Sequence, residues 1–175
     1  ENIAPVPVED KLKELLPGIS NAMMIGDKRK YNTVLITLRQ VPDPNEDGAF
    51  TDALFGNSLE VSGAKTVTQA KADPKWKEYI EAGIAGYNKT AVSNAQKIQK
   101  FVILGTDFSV PGGELTATQK LVPNKVFAFH AKELEELLQW GDFGRITTSL
   151  SARLRKMATA LDARGGDSQG SANDA

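Results

Sequence analysis

Val8, Leu12, Leu15 and Leu16 recur at helical spacing behind Pro7, and Pro17-Gly18 closes the run, so the chain opens with a helix carrying one apolar face. Pro7 suits the first turn, where its missing N–H costs nothing, and Glu9 and Asp10 favour the positive end of the helix dipole. Ala22 to Ile25 is a short apolar run and predicts a buried strand. Gly26 to Lys30 is a polar turn, and Tyr31 to Leu38, rich in Val, Ile and Thr, predicts a second strand. From Val41 to about Ala72 the pattern loosens around Pro42, Pro44, Gly48, Gly56 and Gly63. An irregular insert is predicted there, with one short helical segment around Thr51–Phe55.

Regularity returns at Asp73-Pro74, an N-cap carboxylate followed by proline at the first helical position. Trp76, Ile80, Ile84, Tyr87, Ala91, Ala95 and Ile98 then keep helical spacing, which predicts one long helix with Trp76 and Tyr87 in core packing. Gly83 and Gly86 would each weaken it by about 1 kcal/mol relative to alanine unless close packing requires them. Phe101 to Leu104 predicts a third strand. Pro123-Asn124 precedes a helix from about Lys125 to Gln139, with Val126, His130, Leu134, Leu137 and Leu138 on one face and His130 packed or bonded to a nearby carboxylate. Ile146, Leu150, Leu154, Met157 and Leu161 form a last stripe, flanked by Arg145, Arg153, Arg155, Lys156 and Arg164. An anionic membrane surface, a partner protein and the chain's own fold are all open destinations for such a helix. From Ala163 onward the Gly/Ser/Asp/Asn composition predicts a disordered tail. The fold class expected is α+β, a small sheet of about three strands packed with helices. Residues 1–140 form its domain, with the irregular insert at about 41–72, and residues 141–175 form the amphipathic helix and tail.

Composition narrows the chemistry. A chain of 175 residues, 41% hydrophobic and 25% charged, is the size and make-up of one globular domain plus a tail. A net charge of −1 argues against a general nucleic-acid binder. No apolar run approaches the roughly 20 residues that a membrane span needs. Cysteine is absent, which excludes disulfides, thiolate metal sites and a cysteine nucleophile and fits a reducing cytosol. With one histidine, any catalytic triad or multi-histidine metal site would depend on His130. Asn88-Lys89-Thr90 matches a glycosylation acceptor but falls in the middle of a predicted helix.

The segment richest in chemistry runs from Pro111 to Leu121. Gly112-Gly113 frees the backbone to approach a ligand closely. Thr116, Thr118 and Gln119 can hydrogen-bond along the loop, and Lys120 ends it with a compact charge suited to phosphate or carboxylate. By itself this is equally a glycine-containing turn with a solvated lysine. Lys28-Arg29-Lys30 carries the same two readings, a contact for an anionic ligand or a solvated hairpin tip.

Four segments in order sharpen the choice: Glu1 to Glu9, Ile19 to Asp27, Ser93 to Phe101, and the Lys120 loop. Together they resemble the C-terminal lid domain of adenylate-forming acyl-CoA synthetases, closest to the bubblegum type of long-chain fatty acid–CoA ligase, from Glu1 to about Leu138. The resemblance implies a two-step reaction. ATP and a fatty acid give acyl-adenylate and pyrophosphate, and coenzyme A then displaces AMP. It assigns Lys120 to stabilising the adenylation transition state, and Glu1, Asn2, Gly112 and Gly113 to cofactor binding. It implies ATP, coenzyme A and Mg2+ as cofactors, held mainly by an N-terminal adenylate-forming domain as partner, with the protein cytoplasmic or peripheral on an intracellular membrane. In that family Glu1-Asn2 sits inside a Gly-Gly-Glu-Asn motif, so a fragment, inactive alone, is expected. One departure stands out. The family commonly follows its lysine with further basic residues, whereas here Lys120-Leu121-Val122-Pro123 intervenes before Lys125. That difference keeps a second reading open, a non-catalytic interaction module derived from the lid.

Overall fold

The computed structural model describes residues 5–25 and 32–138. Glu1, Asn2, the Lys28-Arg29-Lys30 tip, the amphipathic helix from Ile146 and the tail lie outside the described residues. The architecture is α+β. In chain order the elements are α1 (Pro5–Leu15), β1 (Ile19–Ile25), β2 (Asn32–Leu38), β3 (Gln40–Pro42), β4 (Phe50–Leu54), α2 (Val67–Ala72), α3 (Pro74–Thr90), β5 (Ile98–Ile103) and α4 (Pro123–Leu138). Short 3-10 turns lie at Gly56–Glu60 and Asn94–Gln96. The chain divides into two compact units, Glu1–Pro123 and Asn124–Ala175.

Within the first unit, β2 is the central strand of a three-stranded mixed sheet, antiparallel to β1 and parallel to β5. All seven of its residues are buried, as expected of a strand covered on both faces. Its Val34, Ile36 and Leu38 join Leu12 of α1, Leu16 just after that helix, and Trp76, Ile80 and Ile84 of α3 in one core. Trp76 is fully buried, with its ring edge-on to Tyr79 at a centroid distance of 5.7 Å. The Tyr79 hydroxyl in turn accepts the Gly18 amide hydrogen at 2.9 Å. The Gly83 position explains itself: a Cβ there would run into the Leu16 side chain, so glycine lets α1 and α3 meet closely. α3 starts as the sequence predicts, with the Asp73 carboxylate accepting from Lys75 N at 2.9 Å. Hydrogen bonds from Ser62 and from the Lys75 backbone hold that carboxyl below its ordinary range.

Four expectations need correction. Thr51–Phe55 is not helical: Phe50–Leu54 is a strand paired with Gln40–Pro42, and Leu54, Ala64, Val67 and Ala70 of the supposed irregular insert enter the core. The long helix also stops early. The Thr90 hydroxyl bonds back to Tyr87 O at 2.7 Å, and Ala91 turns extended. Asn88 then takes both backbone groups of Ile98, donating to its carbonyl at 2.8 Å and accepting its amide hydrogen at 2.9 Å. Ile98 is therefore the first residue of β5, and the Asn88 amide that an acceptor site would need is already engaged. Leu15, read as part of the buried face of α1, is 37% exposed. Finally, Glu9 does not serve the helix end. It is buried in the second turn, where it accepts the Met24 amide hydrogen at 3.0 Å on β1.

The second unit is described only through α4. Val126, His130 and Leu134 share its buried face, and His130 Nδ1 lies 3.6 Å from Glu133 Oε2, ion-pair range when the ring is protonated.

Candidate functional site

The Lys120 loop leaves the sheet at Leu104, whose amide hydrogen still bonds to Ile36 O of β2 at 2.9 Å. Three polar anchors then fix its path. Gln40 Nε2 donates to Gly105 O at 3.1 Å. The buried Asp107 accepts on one oxygen from Asn21 Nδ2 at 3.0 Å, from the Thr37 hydroxyl and from Phe108 N at 2.8 Å. Three donors on one carboxylate oxygen satisfy a group that would otherwise be costly to bury. The Ser109 hydroxyl donates to Gly48 O and accepts from Gly112 N, each at 2.9 Å. Phe108 and Leu115 add buried apolar anchors.

Beyond these anchors the chain makes two tight turns. Gly113 N bonds to Val110 O at 3.0 Å, with Gly113 itself at φ 86°, the left-handed region that favours glycine. The space a side chain would fill at Gly112 is taken by the Glu114 carboxylate and, 2.7 Å from an added Cβ, the Ser109 hydroxyl. The glycine pair thus shapes the loop from within. Leu115 and Leu121 then form an antiparallel bridge across a narrow hairpin. At its tip Gln119 N bonds to Thr116 O at 2.8 Å, and Thr116 N bonds to Lys120 O at 2.8 Å. Gln119 adopts φ 63°, the left-handed residue that follows the turn in a three-residue hairpin loop.

Lys120 stands at the end of that turn. Its amide hydrogen bonds to the Thr116 hydroxyl at 3.1 Å, which lies 3.1 Å from the Thr118 hydroxyl. Its side chain is exposed and makes no ion pair with a described residue. The arrangement fixes the backbone beneath a cation while leaving the ammonium group available to an anion. Lys120, Gly112 and Gly113 therefore share one ordered loop, whereas Glu1 and Asn2 fall outside the described residues. The residues that sequence reasoning missed are the braces, namely Asn21, Thr37, Gln40, Gly48 and Ser109. Polar side chains within otherwise apolar strands, such as Asn21 and Thr37, were the available signal. Among the described residues, no three His, Asp or Glu side chains gather in a group that could hold a metal ion.

Three relatives decide the kinship. The chain is 45% identical over 128 residues to long-chain-fatty-acid–CoA ligase ACSBG2 of Gallus gallus, a match covering 69% of this chain and 17% of that protein. It is 43% identical over 128 residues to long-chain-fatty-acid–CoA ligase ACSBG1 of Homo sapiens, covering 69% and 18%. It is 37% identical over 164 residues to long-chain-fatty-acid–CoA ligase heimdall of Drosophila melanogaster, covering 78% and 24%. The chain is homologous to the bubblegum-type long-chain fatty acid–CoA ligases. It corresponds to a portion of such a ligase, about a fifth of the length of these relatives. No protein-family model matches it. Among solved structures, the fold resembles part of the A-PCP didomain of carboxylic acid reductase from Segniliparus rugosus, solved in complex with AMP. That match has a TM-score of 0.50 at 16% identity and covers 77% of this chain and 16% of that one. It is a likeness of fold.

Proposed function

We propose that this chain is the C-terminal lid of an AMP-forming long-chain fatty acid–CoA ligase and that Lys120 is its adenylation lysine. The observation that carries the reading is the exposed Lys120 side chain on a backbone fixed by Thr116, within a segment homologous to those ligases.

In the first half-reaction a carboxylate oxygen of the fatty acid attacks the α-phosphorus of ATP, the bond to the bridging oxygen breaks, and pyrophosphate leaves. Negative charge grows on the α-phosphate oxygens and on the leaving group. An ammonium group held in place stabilises that charge without taking or giving a proton. In the second half-reaction the coenzyme A thiolate attacks the acyl carbonyl and AMP departs. Its charge development lies at a different centre, and in this reading the lid has rotated, so Lys120 no longer faces the reacting atoms. In this reading Glu1 and Asn2 serve coenzyme A binding, and Gly112-Gly113 shape the backbone that presents the lysine. Fatty acid, ATP and Mg2+ are held mainly by the remainder of the ligase, which makes the chain inactive by itself.

Lys120→Ala in the ligase that carries this segment is expected to slow ATP–pyrophosphate exchange by about 10²–10³-fold, the scale of losing one oriented electrostatic contact. Lys125→Ala, outside the matched position, is expected to weaken ligand affinity at most and to leave the exchange rate at saturation intact. Equal rates for Lys120→Ala and wild type would remove Lys120 from the mechanism.

A further inference from the structure

We propose that the β3–β4 hairpin is the brace that positions the Lys120 loop, with Gly48 as its seat and Ser109 as the joint between them. The proposal rests on the adenylation reading of Lys120 given above. Ser109 is 8% exposed and serves three segments together. Its hydroxyl donates to Gly48 O at the hairpin end and accepts from Gly112 N. Its backbone carbonyl accepts the Leu115 amide hydrogen at 3.2 Å, and Leu115 bridges to Leu121, next to Lys120. A short path of bonds therefore joins the hairpin to the lysine.

Gly48 is built for this contact. It has φ 81°, and a Cβ there would lie 2.8 Å from Pro111 Cβ, 3.0 Å from the Ser109 hydroxyl and 3.1 Å from Gly112 N. No other residue fits the space or adopts the backbone without strain. The root of the hairpin grips the same loop at its start, because Gln40 Nε2 donates both to Thr51 O at 2.8 Å and to Gly105 O. Residues 116–120 are all exposed and have no core of their own. Their position comes from these polar ties together with the buried Leu115 at the base of the turn, and displacement of a reacting group by about 1 Å can cost 10²-fold in rate. Gly48 and Ser109 are thus positioning residues, acting on adenylation through Lys120 without touching substrate.

The test is a double-mutant cycle in the ligase that carries this segment, with adenylation followed by pyrophosphate exchange at saturating ATP and fatty acid, and folding followed by thermal melting. Ser109→Ala is expected to slow adenylation by about 10–10²-fold and to leave thioester formation from preformed acyl-adenylate unchanged. Ser109→Ala/Lys120→Ala is expected to be no slower than Lys120→Ala. If Ser109→Ala lowers the melting temperature severely, Gly48→Ala, which keeps the hydroxyl but presses on Pro111, is expected to give the same selective loss. A Ser109→Ala loss that persists in full in the Lys120→Ala background, or that falls equally on both half-reactions, overturns the positioning role while the reading of Lys120 stands. A Lys120→Ala enzyme that adenylates at the wild-type rate overturns that reading and the brace with it.

Discussion

Buried side chains in this fold are ruled by where the backbone needs a partner, and Glu9 shows the consequence for a charge. Its carboxylate accepts the Met24 amide hydrogen at 3.0 Å on β1. Burial raises its pKa above the ordinary 4.5, against the lowering effect of the Met24 bond, with Asp10 adding to the rise and Lys13 opposing it. A raised acid pKa means that the folded state holds the proton more tightly than the unfolded state. Stability therefore falls as pH rises from 4.5 through the folded value, and it stays lower above that window. Glu9→Gln keeps an acceptor for Met24 and removes the ionisable group. It is expected to melt at a higher temperature than wild type at neutral pH, with the difference closing as pH falls to 4.5, and melting curves across that range check it. A wild type that gains stability over wild-type values at pH 4.5 when brought to neutral pH, relative to Glu9→Gln, would contradict this account. The sequence placed Glu9 near a helix start, where the dipole welcomes it. It carried no sign that β1 would present a backbone amide to that side chain. The turn beneath Lys120 was legible for the opposite reason, since the Thr116 and Thr118 hydroxyls that order its backbone are its neighbours in sequence.

At the scale of elements, the two glycines of α3 separate local propensity from packing. Gly83→Ala gains about 1 kcal/mol of helix propensity but drives a methyl into Leu16, and overpacking of about 1–3 kcal/mol is expected to win, giving a net loss of stability. Gly86 has only ordinary contact with Leu15, at 3.6 Å, so Gly86→Ala is expected to stabilise by up to about 1 kcal/mol. Denaturant unfolding of both variants tests the pair, and an equal sign for both would contradict the packing described here. β2 and the start of α3 were legible because β-branched residues and the Asp73-Pro74 cap act locally. The β3–β4 hairpin was not. Its prolines and glycines read as irregularity, while the bonds that order it, from Gln40 to Gly105 and from Ser109 to Gly48, link residues far apart in sequence. The end of α3 was missed for the same reason. Helical spacing continues through Ala95 to Ile98, but Asn88 binds Ile98 as the first residue of a strand.

At the scale of the first unit, a mixed sheet around a fully buried β2 shares one core with α1, α2 and α3, and the Lys120 loop follows the end of β5. Among the described residues, no helix is long and apolar enough to cross a membrane. The segment matches between 17% and 24% of the length of its ligase relatives, so the chemistry proposed for Lys120 belongs to the larger enzyme. The fold class and the family were legible because both rest on the order of segments along the chain. The braces of the site rest on non-local contacts and needed the structure. The central claim is that the lysine serves one half-reaction and is withdrawn for the other. Single-turnover thioester formation from preformed acyl-adenylate, in the Lys120→Ala ligase, tests it most directly. The account predicts a rate equal to wild type, beside an adenylation rate lower by about 10²–10³-fold. A thioester rate reduced as much as adenylation would contradict it.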